Sequence, residues 1–323
     1  MLQDPFERRF SYLRLSLTES CNFRCNYCLP NGSSCDNKAA ELTLREIQHL
    51  VRGFAAAGTT KVRLTGGEPT LRRDLCDIIS TVRQTAGIRE VALTTNGYRL
   101  NKDIQHWLDA GLSALNVSID SLDADTFHLV TGQDRLADIL AGVDRALALG
   151  LRKVKINTVL LRQYNGQSLD TFLGFVRDKP ISLRFIELMQ TGDNGSFFKA
   201  QHLSGSSIIS QLTAAGWQLM PRQHNAGPAL EYAHPEYLGT IGLIMPYSAH
   251  FCDDCNRLRV SSTGQLFLCL FAEQHQNLRH LLAEDNPPAL VAFLQAQLQY
   301  KPFSHQLANA NTGQTRQLAM IGG

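Results

Sequence analysis

The residues best suited to chemistry in this sequence are its cysteines. Cys21, Cys25 and Cys28 have the spacing C-x3-C-x2-C, while Cys252, Cys255 and Cys269 form C-x2-C-x13-C. Cys35 and Cys76 stand apart and receive no role, Cys76 reading as a small packing residue. Three neighbouring thiolates can share one inorganic cluster, yet they are one short of the four that usually hold a [4Fe–4S] centre. An iron without a protein ligand is then open to a substrate or cofactor, as the open position distinguishes a catalytic from a structural zinc site. Zinc fits the first triplet poorly, because it favours paired C-x2-C or Cys/His ligands. At the second triplet, spacing alone leaves zinc and iron–sulfur open, with His250 near enough in sequence to complete a zinc ribbon.

A second signal lies in the strand-like segments. Side chains alternate between the two faces of a strand. One stripe reads Arg14 and Ser16, Arg63 and Thr65, Thr94 and Asn96, then Asn116, Ser118 and Asp120, then Lys155 and Asn157. The opposite stripe is apolar: Leu13, Leu15, Val62, Leu64, Leu115, Val117, Ile119, Val154 and Ile156. A parallel sheet covered on both faces reads as continuous apolar runs. A face that is polar in strand after strand must line a cavity or cleft. Burying Arg14, Arg63 and Lys155 without partners costs several kcal/mol each, and a bound polyanion relieves that cost. The competing arrangement puts these residues at exposed strand ends, or pairs them with carboxylates such as Asp120.

The elements that must position these groups are strands at Tyr12–Leu17, Lys61–Thr65, Arg89–Thr95, Ala114–Ile119, Lys153–Leu160 and Ser182–Glu187, with helical patterns between most of them. One helix opens at the capping-box pattern Thr43-Leu44-Arg45-Glu46 and runs to Gly58. Another spans Asp134–Leu149 and stops at Gly150. Such alternation predicts βα units and a parallel sheet. Six units fall short of a closed eight-stranded barrel; alternation alone allows either an open partial barrel or a doubly wound sheet. Beyond about Gln190 the pattern changes. A loop at Gly192–Gly195 precedes a helix at Ser206–Ala215 and a strand at Gly239–Ile244. A hairpin then pairs Arg257–Ser261 with Gln265–Leu270 around Thr263-Gly264, followed by helical stretches at Asn277–Glu284 and Ala289–Leu298.

Composition narrows the class. With 44% hydrophobic and 19% charged residues, 323 residues can build a large core. A net charge of +2 gives no case for a nucleic-acid binder or a membrane-surface protein. Met1–Arg9 carries no apolar stretch, so no secretory leader is expected, and no run reaches the roughly 18 residues of a membrane span. The expected compartment is a reducing cytoplasm, where cysteines serve metals rather than disulfides.

The first triplet, together with Gly66-Gly67-Glu68-Pro69, resembles the radical S-adenosylmethionine superfamily. Further motifs resemble the GTP 3′,8-cyclase family of molybdenum cofactor synthesis over nearly the whole chain: Cys255-Asn256-Arg257-Leu258-Arg259 with Cys269-Leu270-Phe271, Thr94–Gly97, Asn116–Leu122, Arg184–Met189 and terminal Gly322-Gly323. The resemblance implies an α/β fold: an incomplete (β/α)6 barrel over residues 1–190, and a smaller C-terminal region, 191–323, carrying a second iron–sulfur cluster and the diglycine tail. It implies two [4Fe–4S] clusters, held by Cys21, Cys25 and Cys28 and by Cys252, Cys255 and Cys269. Tyr27, Gly67, Ser118 and Met189 would surround S-adenosylmethionine. Arg14, Arg63, Thr94, Lys155, Arg257, Leu258 and Arg259 would contact GTP, with Arg257 and Arg259 stabilising the cyclised radical. The implied reaction removes hydrogen from C3′ of GTP with a 5′-deoxyadenosyl radical and joins C3′ to C8. The implied partners are GTP, an electron donor and the next enzyme of cofactor synthesis, with no nucleic acid or membrane; a homodimer stays open. The alternatives are another radical enzyme with an auxiliary cluster, or a non-enzymatic iron–sulfur or zinc protein.

Overall fold

The computed structural model describes residues 1–33, 40–222 and 226–322, so Cys35 and Gly323 lie outside the described residues. Six strands follow the expected segments to within one residue at either end: β1 (Tyr12–Ser16), β2 (Lys61–Thr65), β3 (Glu90–Thr95), β4 (Ala114–Ser118), β5 (Val154–Leu160) and β6 (Ser182–Glu187). They pair in parallel in sequence order. Between them run α1 (Leu44–Ala56), α2 (Leu75–Gln84), α3 (Leu100–Asp109), α4 (Ala124–Thr131), α5 (Leu136–Ala148) and α6 (Leu169–Arg177). The expected capping box opens α1: Thr43 Oγ1 accepts from the Glu46 amide at 3.2 Å, and the Glu46 carboxylate accepts from the Thr43 amide at 2.8 Å.

These helices cover the apolar stripe. Leu13, Leu15, Val62, Leu64, Leu115, Val117 and Ile156 have no exposed surface and belong to one continuous core with Leu50, Phe54, Ile78, Ile104 and Ile139 from the helices. The polar stripe is thereby turned away from the helical layer.

The rest of the chain adds α7 (Gly195–Gln201), α8 (Ser206–Ala214), β7 (Gln218–Leu219), β8 (Leu230–Ala233), β9 (Thr240–Ile244), β10 (Arg257–Val260), β11 (Gln265–Phe267), β12 (Gln276–Asn277) and α9 (Pro287–Leu298). Its strands extend both edges of one sheet, in the order β12-β11-β10-β1-β2-β3-β4-β5-β6-β9-β8-β7. β10 joins β1 and β9 joins β6 in parallel, but each pairs on its other side with an antiparallel strand. The sheet therefore stays open, an incomplete barrel.

Two expectations need correction. Asn277–Glu284 is not a helix: Asn277 closes β12, its Oδ1 accepts from the Arg279 amide at 2.8 Å, and a 3-10 turn spans Arg279–Leu282. That side-chain bond offers the backbone an alternative to helix continuation. The second arm of the hairpin ends at Phe267 rather than Leu270, so Leu268, Cys269 and Leu270 leave the sheet. Among the described residues, no helix is long and apolar enough to cross a membrane.

Candidate active site

The first triad sits on the loop leaving β1. The Arg24 and Asn26 amides bond the carbonyls of Thr131 and Val130 at the end of α4 (3.1 and 3.0 Å), which fixes the loop against the helix. On its other side lies the Gly66-Gly67 turn after β2. A side chain at Gly67 would lie 2.3 Å from the Ser20 carbonyl oxygen, and Gly66 adopts φ +148°, so this close backbone approach requires glycine. Glu68 is fully buried. Its carboxylate accepts from the Thr70 amide and hydroxyl (3.0 and 2.6 Å), the Thr95 hydroxyl (2.8 Å) and the Asn96 amide (2.7 Å), tying the turn to the end of β3. Asn96 in turn donates to Asn22 at 2.9 Å and approaches the Cys21 sulfur at 3.8 Å. Tyr27 donates to Asp120 at 2.9 Å, and Asp120 also accepts from the Val159 amide at 2.9 Å. Asp120 therefore serves the first triad instead of pairing with the cations of the stripe.

Those cations line one cavity. Its walls include Tyr12, Arg14, Lys61, Arg63, Asn116, Lys155, Asn157, Arg184, Met189, Arg257 and Arg259, and all three cysteines of the second triad open onto it. Strand register explains the convergence. Arg259 pairs with Arg14 across β10 and β1, and Arg14 pairs with Arg63 across β1 and β2. Paired residues of neighbouring strands share a face about 4.8 Å apart, so three guanidinium side chains stand in a single row. Among the described residues, no carboxylate forms an ion pair with Arg63, Lys155, Arg257 or Arg259, while Glu231 pairs with Arg184. The Nε atoms of Arg257 and Arg259 are buried without a hydrogen-bond partner. Burying Arg63, Arg257 and Arg259 without a carboxylate partner costs several kcal/mol, a cost that a polyanion in the cavity would offset.

The electrostatics differ between the triads. Burial pushes the Cys21 thiol up to about 11 and Cys28 up to about 12, and Cys25 also lies well above the ordinary thiol value. Burial acts the same way on Cys255, but Arg257 and Lys301 outweigh it and bring that thiol down to about 6. Burial lowers Arg14 to about 9 and Lys155 to about 7. It would raise Tyr12, yet Arg63, Arg14 and Lys61 bring that phenol down to about 7. Burial raises Asp120 to about 6.

The chain terminus reaches between the triads. The Ala319 amide bonds the Cys28 thiol, and Arg14 donates to the Gly322 carbonyl. A side chain at Gly322, which has φ +63°, would lie 2.2 Å from the Thr65 methyl carbon.

Residues 15–176 match the family model "Radical SAM superfamily", and residues 181–307 match "Molybdenum Cofactor Synthesis C". Proteins named GTP 3′,8-cyclase are similar over the whole chain. That of Actinobacillus pleuropneumoniae serotype 5b is 55% identical, covering 100% of this chain and 95% of its own. That of Edwardsiella ictaluri is 53% identical, covering 100% and 99%.

The chain belongs to the GTP 3′,8-cyclase family of radical S-adenosylmethionine enzymes.

Its fold is shared with Streptococcus suis SuiB, whose crystal structure bound to S-adenosylmethionine aligns with TM-score 0.61 at 13% identity, covering 90% of this chain and 68% of that one. The SuiB complex with precursor peptide SuiA aligns with TM-score 0.58 at 13% identity, covering 97% and 76%.

In this member of the cyclase family, Arg14, Arg63, Lys155, Arg257, Arg259 and Met189 meet at the cavity. Thr94 sits one step back: its hydroxyl accepts from Arg63 at 2.9 Å. Leu258 points to the other face, 1% exposed within the core, so its side chain is turned from the cavity. Ser118 ends β4 beside Asn157 of β5. His250 faces solvent and bonds Asp253 at 2.9 Å, which removes it as a zinc ligand. Sequence reasoning missed Tyr12, Arg184 and Glu68. The first two were recoverable by extending the alternation, since Tyr12 stands two residues before Arg14 and Arg184 pairs with Asn157. Glu68 offered no signal beyond its motif.

Proposed function

We propose that this protein is a cytoplasmic GTP 3′,8-cyclase acting in molybdenum cofactor synthesis. The cationic row opening onto the second cysteine triad is the observation that carries the reading, because it supplies a polyanion site beside a set of three thiols. The donor sets suit two [4Fe–4S] clusters, Cys21, Cys25 and Cys28 for one and Cys252, Cys255 and Cys269 for the other. When bound, the first cluster and S-adenosylmethionine would supply a 5′-deoxyadenosyl radical able to take the C3′ hydrogen of GTP; joining C3′ to C8 would then take up one electron from the reductant and one proton to reach 3′,8-cyclo-7,8-dihydro-GTP.

The chain's own residues divide the remaining work. Tyr27, held by Asp120, closes one wall of the S-adenosylmethionine site, whose other contacts are the Gly67 backbone, Ser118 and Met189. Arg14, Arg63 and Lys155 neutralise the triphosphate, and Thr94 orients Arg63. Arg257 and Arg259 stabilise the cyclised radical and the phosphates, while Leu258 anchors β10 so that both arginines face the cavity. The substrate's charge thus replaces the missing carboxylates. Residues 1–190 act as the radical-generating barrel and 191–323 as the region that completes the substrate site. An electron donor reduces the enzyme, and the product passes to the next enzyme of cofactor synthesis; a homodimer is compatible with this arrangement.

The test uses anaerobically reconstituted protein, S-adenosylmethionine, a reductant and GTP deuterated at C3′. Deuterium in 5′-deoxyadenosine together with a cyclised product is the expected result. Cleavage without deuterium transfer would retain a radical enzyme and remove GTP C3′ as its target.

A further inference from the structure

Beside the second triad, two buried basic residues bond the backbone that carries its cysteines. Arg8, 7% exposed, donates from Nη1 to the Cys252 carbonyl at 3.0 Å and to the Phe303 carbonyl at 2.5 Å, and from Nη2 to the Pro302 carbonyl at 2.9 Å. Asp4 pairs with its guanidinium at 2.7 Å, so the Arg8 charge is compensated. Lys301 is 4% exposed and donates to the carbonyl of Leu268, the residue before Cys269. Its ammonium lies 5.3 Å from the centre of the Phe10 ring. Among the described residues, no carboxylate forms an ion pair with Lys301.

An unpaired buried ammonium is costly unless an anion stands close by. Burial holds the Lys301 ammonium below its ordinary value, and the groups that favour its charge against burial are the Cys255 and Cys269 thiolates. Hydrogen bonds and charge around a cluster, outside its direct ligands, set reduction potential and retention. Arg8 thus fixes the Cys252 end of the site with its charge already neutralised, whereas Lys301 fixes the Cys269 end and leaves one positive charge facing the thiolates.

We propose that Lys301 is a positioning residue for the second cluster, which raises its reduction potential by placing an uncompensated charge beside Cys255 and Cys269, with Arg8 as its neutral counterpart in the brace. This rests on the reading of the second triad as a [4Fe–4S] site. Asymmetry between the two residues is its signature: removing Lys301's charge shifts the potential, while removing Arg8's contacts loosens the cluster.

The experiment compares full-length wild type with Lys301→Gln, Lys301→Arg and Arg8→Gln after anaerobic reconstitution. It reads iron content and the potential of each cluster by redox titration followed by electron paramagnetic resonance. Glutamine retains a donor for the Leu268 carbonyl and removes the charge. The expected result is a lower second-cluster potential in Lys301→Gln, a near-wild-type value in Lys301→Arg and an unchanged first cluster in both. Loss of the second cluster in Lys301→Gln but not in Lys301→Arg also supports the proposal, since it isolates the charge. Identical behaviour of the two variants, whether both match wild type or both lose the cluster, overturns it. Arg8→Gln is expected to lose second-cluster iron; if it instead lowers the potential as Lys301→Gln does, the division of roles fails. A wild type with iron for one cluster defeats the reading of the second triad itself.

Discussion

The two cysteine triads have the same number of thiols and opposite surroundings. Around the first, burial and nearby acids dominate: Asp120 works against ionisation of Cys25, and Glu68 against that of Cys21. Around the second, burial still raises Cys252, but Arg257, Lys301 and Arg259 favour the thiolate of Cys255. The difference has a chemical logic. S-adenosylmethionine carries a sulfonium cation, which an acidic, water-poor pocket tolerates, whereas a nucleoside triphosphate needs the cationic one. On the proposed reading, one open sheet would sort two ligands by charge.

Breaking the ligand sets tests this division most severely. Cys25→Ser is expected to reduce S-adenosylmethionine cleavage to background. Cys255→Ser should preserve some cleavage and abolish the cyclised product, as measured by chromatography of 5′-deoxyadenosine and nucleotide. Equal loss of cleavage in both variants would show that the triads are not separable.

A smaller effect is expected from the row itself. Arg259→Ala should weaken GTP binding by about 2–5 kcal/mol, the usual range for truncating one partner of a buried charge pair. Iron content should remain that of the wild type. Titration calorimetry with GTP checks it, and unchanged affinity would remove Arg259 from the substrate site.

The next effect is a pH dependence with two signs. Lys155 at about 7 lies below its ordinary 10.5, and Tyr12 at about 7 lies below its ordinary 10.0. In both cases the unfolded chain holds more protons between about pH 7 and pH 10, so these groups make the ligand-free fold more stable as pH rises through that window. GTP binding should change the opposite way, because Lys155 loses its positive charge and Tyr12 becomes negative above about pH 7. Thermal melts and binding isotherms from pH 6.5 to 9 should therefore diverge, and Lys155→Met should flatten both slopes. Parallel slopes would contradict the assignment of Lys155 to the anion site.

Smaller still is the effect expected at the tail. Removing Gly322 and Gly323 should lower turnover and leave the melting temperature nearly unchanged, since the buried tail residues Ala319 and Ile321 remain. Full activity after truncation would reject a role for the diglycine.

Much of this was legible in the residues. The six core strands and the two faces of the sheet followed from alternation, because one face packs on helices and the other lines a cavity. The capping box marked α1 for a similarly local reason. What escaped depended on distant partners. Short β7 and β8 carry little pattern of their own; β8 is defined by pairing to β9, and β7 by pairing to β8. The 3-10 turn at Arg279 reflects its contacts with Glu46 on α1 (2.6 and 3.0 Å). Glu68 reads as part of a turn; Thr70 supplies two of its hydrogen bonds locally, and those from Thr95 and Asn96 appear once β3 lies alongside. The family resemblance implies Leu258 as part of the substrate segment, while the strand period turns its side chain into the core.

The pairing of β10 with β1 also has a consequence for how the enzyme is made. Arg14 emerges early in synthesis, but its partner Arg259 follows 245 residues later, so this edge of the sheet remains unpaired while most of the chain is translated. Such distant pairings form late. The radical-generating loop can therefore be folded and shielded on α4 before the substrate cavity exists. A ribosome-stalled chain ending before β10 should hold iron at the first triad without binding nucleotide.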